Sequence, residues 1–541
     1  MKSISTETLA MACAAVVAMP SFATEREWIG ESGGSWYVAA NWSPSGVPKD
    51  ADTVVFRPSG ELTVAISGGV AVCRAGEIRF ESGTTCFAYD STAISLYMGS
   101  ETTNILYVAE GAEAVVSNRF SAITGKRLRR TGKGRLTIVP RTVEWWKYSY
   151  DIPGCDFVEG ETVLAAGPNY PLASIPIHVC SGAVVRCEGE YRLNTTQDVL
   201  LDEGAILDCG GATQYTSALT GSGIVTNFIY YTLCLNSGSC MFAGKFFQKN
   251  GSAPTVKFAA RPSGMSDEDW GFVVGGSNTL ADSRLTLPKG AGRTLRFAPG
   301  VCNFWIKDII GSENQLLTLE DVNGGPVTVR GGFYNTTTVP RFKGCGNFLL
   351  HSLSAYIRSS DIVANMTGSL GASGGATLTI GNDTAATWPD ISGLGGFIVE
   401  RGTVAFKNKN VEDSAIHGTV VFRDARAKMT ATDALTFGAG GTVRFEIPES
   451  GLDSGVTPIS GPTISFDATT ALEADVAKYR KTQKTKTRLT LATASSVLAL
   501  PDETLARANA AASSQGCRFV KSGLSLVLEV SGSDGFMIIV R

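Results

Sequence analysis

Three stretches decide the fold: FVEGETVLAAG at 157–167, VCSGAVVRCEG at 179–189 and LDEGAILDCGG at 201–211. They recur every 22 residues and align without a gap. Gly160, Gly182 and Gly204 coincide, followed three places on by Val163, Val185 and Leu207 and two further by Ala165, Cys187 and Cys209. Leu164, Arg186 and Asp208 alternate with them, which is the period-2 pattern of a strand with one buried face. Each stretch therefore reads as one turn followed by one strand. The register predicts that Cys187 and Cys209 are stacked neighbours about 5 Å apart, within reach of a disulfide.

The same grammar returns as GTVAF at 402–406, GTVVF at 418–422 and GTVRF at 441–445, while TGKGRLTI at 131–138 echoes TGSGIVTN at 220–227. Units near 20 residues, each built of short strands and turns, stack into a solenoid. The period is too short for helical hairpins and the leucine-rich pattern is absent. The fold class predicted is all-β, a right-handed parallel β-helix. Residues 141–156 and 261–276 break the pattern and read as insertions at coil corners.

Composition agrees. Among 541 residues there are 61 glycines and only 18% are charged, as expected of a strand-and-turn protein. A formal net charge of −3 gives no global attraction to nucleic acid or anionic membranes. Of twelve cysteines none sits in a CxxC pair, so neither a zinc ribbon nor a thioredoxin-type site is expected, and most read as core filler.

The ends differ from the middle. Residues 1–23 read as a signal peptide, with Lys2, an apolar core from Leu9 to Met19 and the small-x-small site Ser21-Phe22-Ala23. Cys13 matches a lipobox only loosely, and no lipid anchor is expected. No later window is long and apolar enough for a transmembrane helix. Residues 24–60 hold WIGESGGSWYVAANWSPSGVP at 28–48. Trp28, Trp36 and Trp42 could form a sugar platform or a lid; with DTVVF at 52–56 entering the first strand, the lid is expected. Residues 61–470 form the β-helix and 471–541 a small α+β end module. In that module 471–483 and 502–515 are helix-prone, and LSLVLEV at 524–530 forms a hairpin with FMIIVR at 536–541.

The N-terminal pattern of Trp28, Gly30, Gly34, Trp36, Asn41-Trp42-Ser43, Pro48, Asp52 and Phe56 resembles the opening of secreted bacterial proteins with autotransporter-associated β-strand repeats. The GTVxF and TGxGxLT segments resemble their coils. The resemblance implies an exported β-helix with adhesive or structural roles. The chain departs from it in cysteine content and in a C-terminal segment too short for a twelve-stranded translocator, so separate export machinery is expected.

Chemistry-bearing motifs are sparse. His178, His351 and His417 are far apart and read as surface or turn residues, with no metal site expected. GxSxG, HExxH, the Walker loop and the EF-hand loop are absent, as are the Asp-Asp pair and Gly-His-Gly turn of pectinase-like hydrolases. Ser266-Asp267-Glu268-Asp269 reads as a capped turn ahead of a calcium site. Two basic runs stand out: Lys126, Arg127, Arg129, Arg130, Lys133 and Arg135, and KYRKTQKTKTR at 478–488. Solvated, charge-guarded strand edges explain both; contact with anionic glycans or lipopolysaccharide phosphates is the functional alternative. The expectation is an exported, non-catalytic scaffold at the cell surface, associated with the outer membrane or released, without cofactor, partnered by glycans or surface proteins. A polysaccharide-active enzyme or glycan-binding protein on the same fold is the alternative, since two carboxylates could meet from distant coils.

Overall fold

The turn glycines adopt the conformation that the repeats demand. Gly160, Gly182 and Gly204 have φ of +72°, +83° and +82°, the left-handed region that side-chain-bearing residues avoid. After each turn the strand alternates, as in Val184–Cys187, where Val185 and Cys187 are fully buried and Arg186 faces out. A computed structural model describes residues 23–66, 72–89, 95–99, 104–117, 119–122, 126–139, 153–167, 171–172, 175–233, 240–247, 255–258, 272–287, 295–311, 315–334, 339–351, 353–381, 389–407 and 415–532. The expected signal peptide, Ser266–Asp269 and 536–541 lie outside them, apart from Ala23. The chain divides into two compact units, 1–171 and 172–541, and each is a parallel β-solenoid.

In the first unit, Glu25–Trp28, Thr53–Phe56, Glu77–Phe80, Asn104–Val108, Leu128–Thr131 and Cys155–Phe157 form one parallel sheet. A second runs from Gly34–Ser35 through Glu61–Ile66, Thr84–Tyr89, Glu113–Val116 and Arg135–Ile138 to Glu161–Leu164. A third holds Val72–Ala75, Ser95–Met98 and Arg119–Ala122. Like residues stack within: Phe56 lies on Phe80 with ring centroids 5.4 Å apart. The sequence predicts Thr53–Phe56 as the first strand; instead Glu25–Trp28 precedes it in the same ladder, so the aromatic segment contributes a strand of its own. Trp42–Ser43 then pairs antiparallel with the outer edge of that strand, which occupies backbone groups that would otherwise template another chain.

In the second unit, Val185 pairs with Leu207 and Arg186 with Asp208, the predicted 22-residue register. Cys187 and Cys209 follow in the same register, both fully buried and both unbonded. The sheet they belong to continues through Thr419–Phe422, Thr442–Glu446 and Ala471–Asp475. The GTVxF repeats divide between two sheets. Thr419 pairs with Thr442, so their 23-residue spacing is one coil. Thr403–Lys407 lies in another sheet, between Thr377–Gly381 and Lys428–Ala431, so the 16-residue spacing is a step around a coil and not a step along the solenoid. Phe272–Val274 is also a ladder strand, which shortens the insertion expected at 261–276. Cys155–Phe157 does the same for 141–156.

The C-terminal end departs furthest from expectation. Residues 471–475 extend the solenoid as a strand, and a short helix, Ala477–Thr482, follows. Thr487–Ala499 adds the last parallel strand to the sheet containing Ile459–Phe466. Ser525–Val530 pairs antiparallel with both that strand and Cys517–Ser522; the hairpin partner lies before it in sequence. The helix Asp502–Ala512 is anchored by Thr504, whose hydroxyl donates to the carbonyls of Asp467 and Ala468 at 3.1 Å each.

Candidate functional site

The first basic run does not form a basic surface. Leu128–Thr131 alternates inward and outward, so Leu128 and Arg130 point into the coil and Arg129 points out. Arg130 is 1% exposed, and its guanidinium donates to the carbonyls of Gly132, Gly134, Glu159 and Glu161. Burial pushes its pKa down to about 10, against the pull of Glu159 and Glu161, which leaves it charged at neutral pH. It is a structural cation tying two turns together and cannot reach a glycan. Arg127 is neutralised by Asp156 at 2.6 Å, and Arg135 lies 3.8 Å from both Glu113 and Glu161. Arg129 and Lys133 are exposed and Lys126 is half-buried; two separated exposed cations do not make the cluster that the sequence suggests.

The aromatic segment forms a closed cluster. Trp28, Trp36 and Trp42 are 7%, 0% and 1% exposed. Trp42 packs edge-on against both others at 4.9 Å and against Phe56 at 5.9 Å, and its Nε1 donates to the Trp36 carbonyl at 2.8 Å. The surrounding residues hold this shape. A side chain at Gly30 would collide with Asn41, whose amide donates to the Ser35 carbonyl at 2.8 Å. Asp52, 4% exposed, accepts from the Thr24 and Lys49 amides at 3.1 and 3.0 Å and from Arg26 at 2.8 Å. Rings enclosed in this way cannot stack on a sugar.

The second basic run keeps its charge at the surface. Lys478, Lys481, Lys484, Lys486 and Arg488 are all exposed. A groove of about 660 Å³ is lined by Arg444, Arg480 and Lys481 with Asp475, Ser514 and Gln515. Arg480 and Lys481 face Asp475 there, and Arg444 is paired with Glu446 at 3.4 Å. Arg480 is set by a donated bond to the Gln515 carbonyl at 3.3 Å, and Asp475 is partly occupied in accepting from the Ala477 amide at 3.1 Å. Beyond the groove, Lys486, Arg518 and Arg488 converge on buried Glu529 at 2.8, 2.7 and 3.5 Å. At Glu529 three positive charges surround one negative charge. The arrangement suits an anionic group of carboxylate or sulfate size, held by charge-assisted hydrogen bonds.

Two further clusters escaped the sequence reading. On the outer face of the long sheet, Arg330 reaches Glu400 at 2.9 Å and lies 5.6 Å from the centre of Trp305. His351 packs edge-on against Trp305 at 4.8 Å and its Nδ1 lies 3.1 Å from the Ser373 hydroxyl. Burial and then Arg330 hold the His351 imidazole below its ordinary range, so it is neutral at physiological pH. The second cluster is His178, Cys180 and Asp202, whose ligand atoms lie within 4.8 Å of one another. Cys180 lies two residues from His178, but the pair makes no ligand set without Asp202, which comes from the next coil. The 22-residue register, applied to the outward residue Cys180, leads to Asp202.

No family model matches the chain, no curated protein matches it, and no solved structure matches it. Among the described residues no helix is long and apolar enough to cross a membrane.

Proposed function

We propose that the protein is an exported, non-catalytic β-solenoid scaffold that works at the cell surface or outside the cell, where it engages acidic glycans or the acidic surface of another protein. The observation that carries this reading is the groove of Arg444, Arg480 and Lys481, flanked by the exposed cations of 478–488. The solenoid supports it from one side, since Arg444 and Asp475 are strand-borne, while Arg480 and Lys481 sit on the short helix Ala477–Thr482. The signal-like leader and the resemblance of the N-terminal motif to autotransporter-associated repeat proteins support export. A second reading, neutral-glycan recognition on the side of the solenoid, is favoured by the half-buried Trp305 with Arg330, His351 and Glu400.

Retention on an immobilised acidic polysaccharide, measured against salt, tests the first reading. Exposed charges are screened over about 8 Å at physiological ionic strength, so retention should fall steeply as salt rises. Arg480→Glu with Lys481→Glu should abolish it, while Arg129→Glu with Lys133→Glu should leave most of it. Retention unchanged by the first pair would remove the groove from consideration. Loss on Trp305→Ala alone would favour the second reading.

A further inference from the structure

The cluster of His178, Cys180 and Asp202 is produced by the solenoid itself. His178 belongs to the strand Ile177–Val179 and Cys180 follows directly, so the two are separated by one inward residue, Val179, which is fully buried. Two residues apart on an extended chain, they project from the same face. Val179 pairs with Leu201 in the next coil, which places Asp202 opposite Cys180, and the Asp202 amide donates to the Val179 carbonyl at 2.9 Å. His178 Nε2 lies 3.0 Å from the Asp202 carboxylate and 3.9 Å from the Cys180 sulfur. All three side chains are half-buried, so solvent reaches them.

These separations can be compared with what a tetrahedral ion requires. Zinc bonds of roughly 2.0–2.1 Å to nitrogen, 2.3 Å to sulfur and 2.0–2.2 Å to carboxylate oxygen put ligand atoms about 3.4–3.6 Å apart. The two separations from His178 differ from that by about half an ångström, and the sulfur–carboxylate pair, within 4.8 Å, closes to it by χ rotation of Cys180 and Asp202. The backbone beneath is fixed by the ladder and by Val179 and Leu201, both fully buried, so little ordering accompanies binding. The donor set chooses the ion: imidazole and thiolate disfavour calcium and magnesium, which take oxygen ligands, and favour zinc-class divalent ions. Three protein ligands leave a fourth position for water or an external ligand, as in open zinc sites.

The geometry points to a solvent-accessible binding site for a zinc-class divalent ion, ligated by His178 Nε2, Cys180 Sγ and an Asp202 carboxylate oxygen across two consecutive coils. Binding releases the thiol proton to solvent, and the proton between His178 Nε2 and the Asp202 carboxylate moves to Nδ1 of the neutral ring, or to solvent from the imidazolium, so that Nε2 and the carboxylate oxygen each bond the metal. The site is separate from the basic groove, and its occupancy does not depend on glycan binding.

Titration of the full chain with Co²⁺ under reducing conditions, followed by displacement with Zn²⁺, tests the assignment. One equivalent should bind with a thiolate-to-cobalt charge-transfer band and tetrahedral visible absorption. Cys180→Ser should remove the charge-transfer band, and His178→Ala and Asp202→Asn should each weaken binding at least tenfold. Zn²⁺ should raise the Tm of the wild type and leave that of the triple variant, His178→Ala with Cys180→Ser and Asp202→Asn, unchanged, since only ligand bound to the native state stabilises it. Cys180→Ser and Asp202→Asn are close in size to the native residues and guard against misfolding of the alanine variant. Binding that survives both of them unaltered, or a wild-type chain that takes up no more metal than the triple variant, overturns the site.

Discussion

At the scale of single residues, position on the alternating strand outweighs chemical type. Arg129 and Arg130 are identical in sequence character, yet one is solvated and the other replaces an apolar side chain inside the coil, in the column of Leu106 and Phe157. Removing the Arg130 guanidinium leaves turn carbonyls buried without donors. Each such group costs about 1–3 kcal/mol. Arg130→Ala should therefore lower stability to urea by at least about 2 kcal/mol, whereas Arg129→Ala should fall within about 0.5 kcal/mol of wild type. Trp42 is the corresponding apolar case. Its ring touches two other indoles and Phe56, and Trp42→Ala should cost about 3–5 kcal/mol, read as a lowered unfolding midpoint of the first unit, with no effect on glycan retention.

At the scale of elements, the C-terminal hairpin is an electrostatic device as well as a cover. Among the described residues its outermost strand is Cys517–Ser522, which carries Arg518 and Lys521, charges that discourage pairing with a further strand. Glu529 in the partner strand is held below its ordinary pKa of 4.5, first by the hydrogen bond from Lys486 and then by Arg518, against the opposing effect of burial. The folded state thus favours the carboxylate. Its contribution to stability is complete above the unfolded value near 4.5 and is lost as pH falls through the lower folded value. Glu529→Gln should destabilise the hairpin at neutral pH, and the gap from wild type should narrow on acidification. Thermal unfolding from pH 7 to pH 3 measures both effects; a gap that is constant with pH would show that the ion pairs contribute nothing there.

At the scale of the whole molecule, the fold was more legible than the site. The register could be read because turn glycines and inward side chains are constrained together, and both recur at one spacing. Sheet membership could not, because GTVAF and GTVVF are the same local solution used on different faces of a coil. Period-2 counting from Leu128 puts Arg130 inside the coil, but the composition of the run carries its charge and not the direction of each side chain. Ser525–Val530 pairs with Cys517–Ser522 although that strand, with Arg518, Lys521 and Ser522, is less apolar than the segment after it, so apolarity alone does not select the partner. The 22-residue register does place Asp202 opposite Cys180, but outward positions carry no repeating signal of their own, so nothing in the pattern singles out His178, Cys180 and Asp202 as a group.

The one-coil register also governs how the second unit gives way under tension. In a parallel ladder each coil is bonded only to its neighbours, so a pull applied at one end loads one boundary at a time. Once a boundary parts, a coil of 22 residues pays out roughly 75 Å of chain before the next boundary bears the load. Such a body dissipates work in successive instalments, each set by the length of its coil, and shortens again as coils rejoin, which is the behaviour of a tether with a built-in reserve of length.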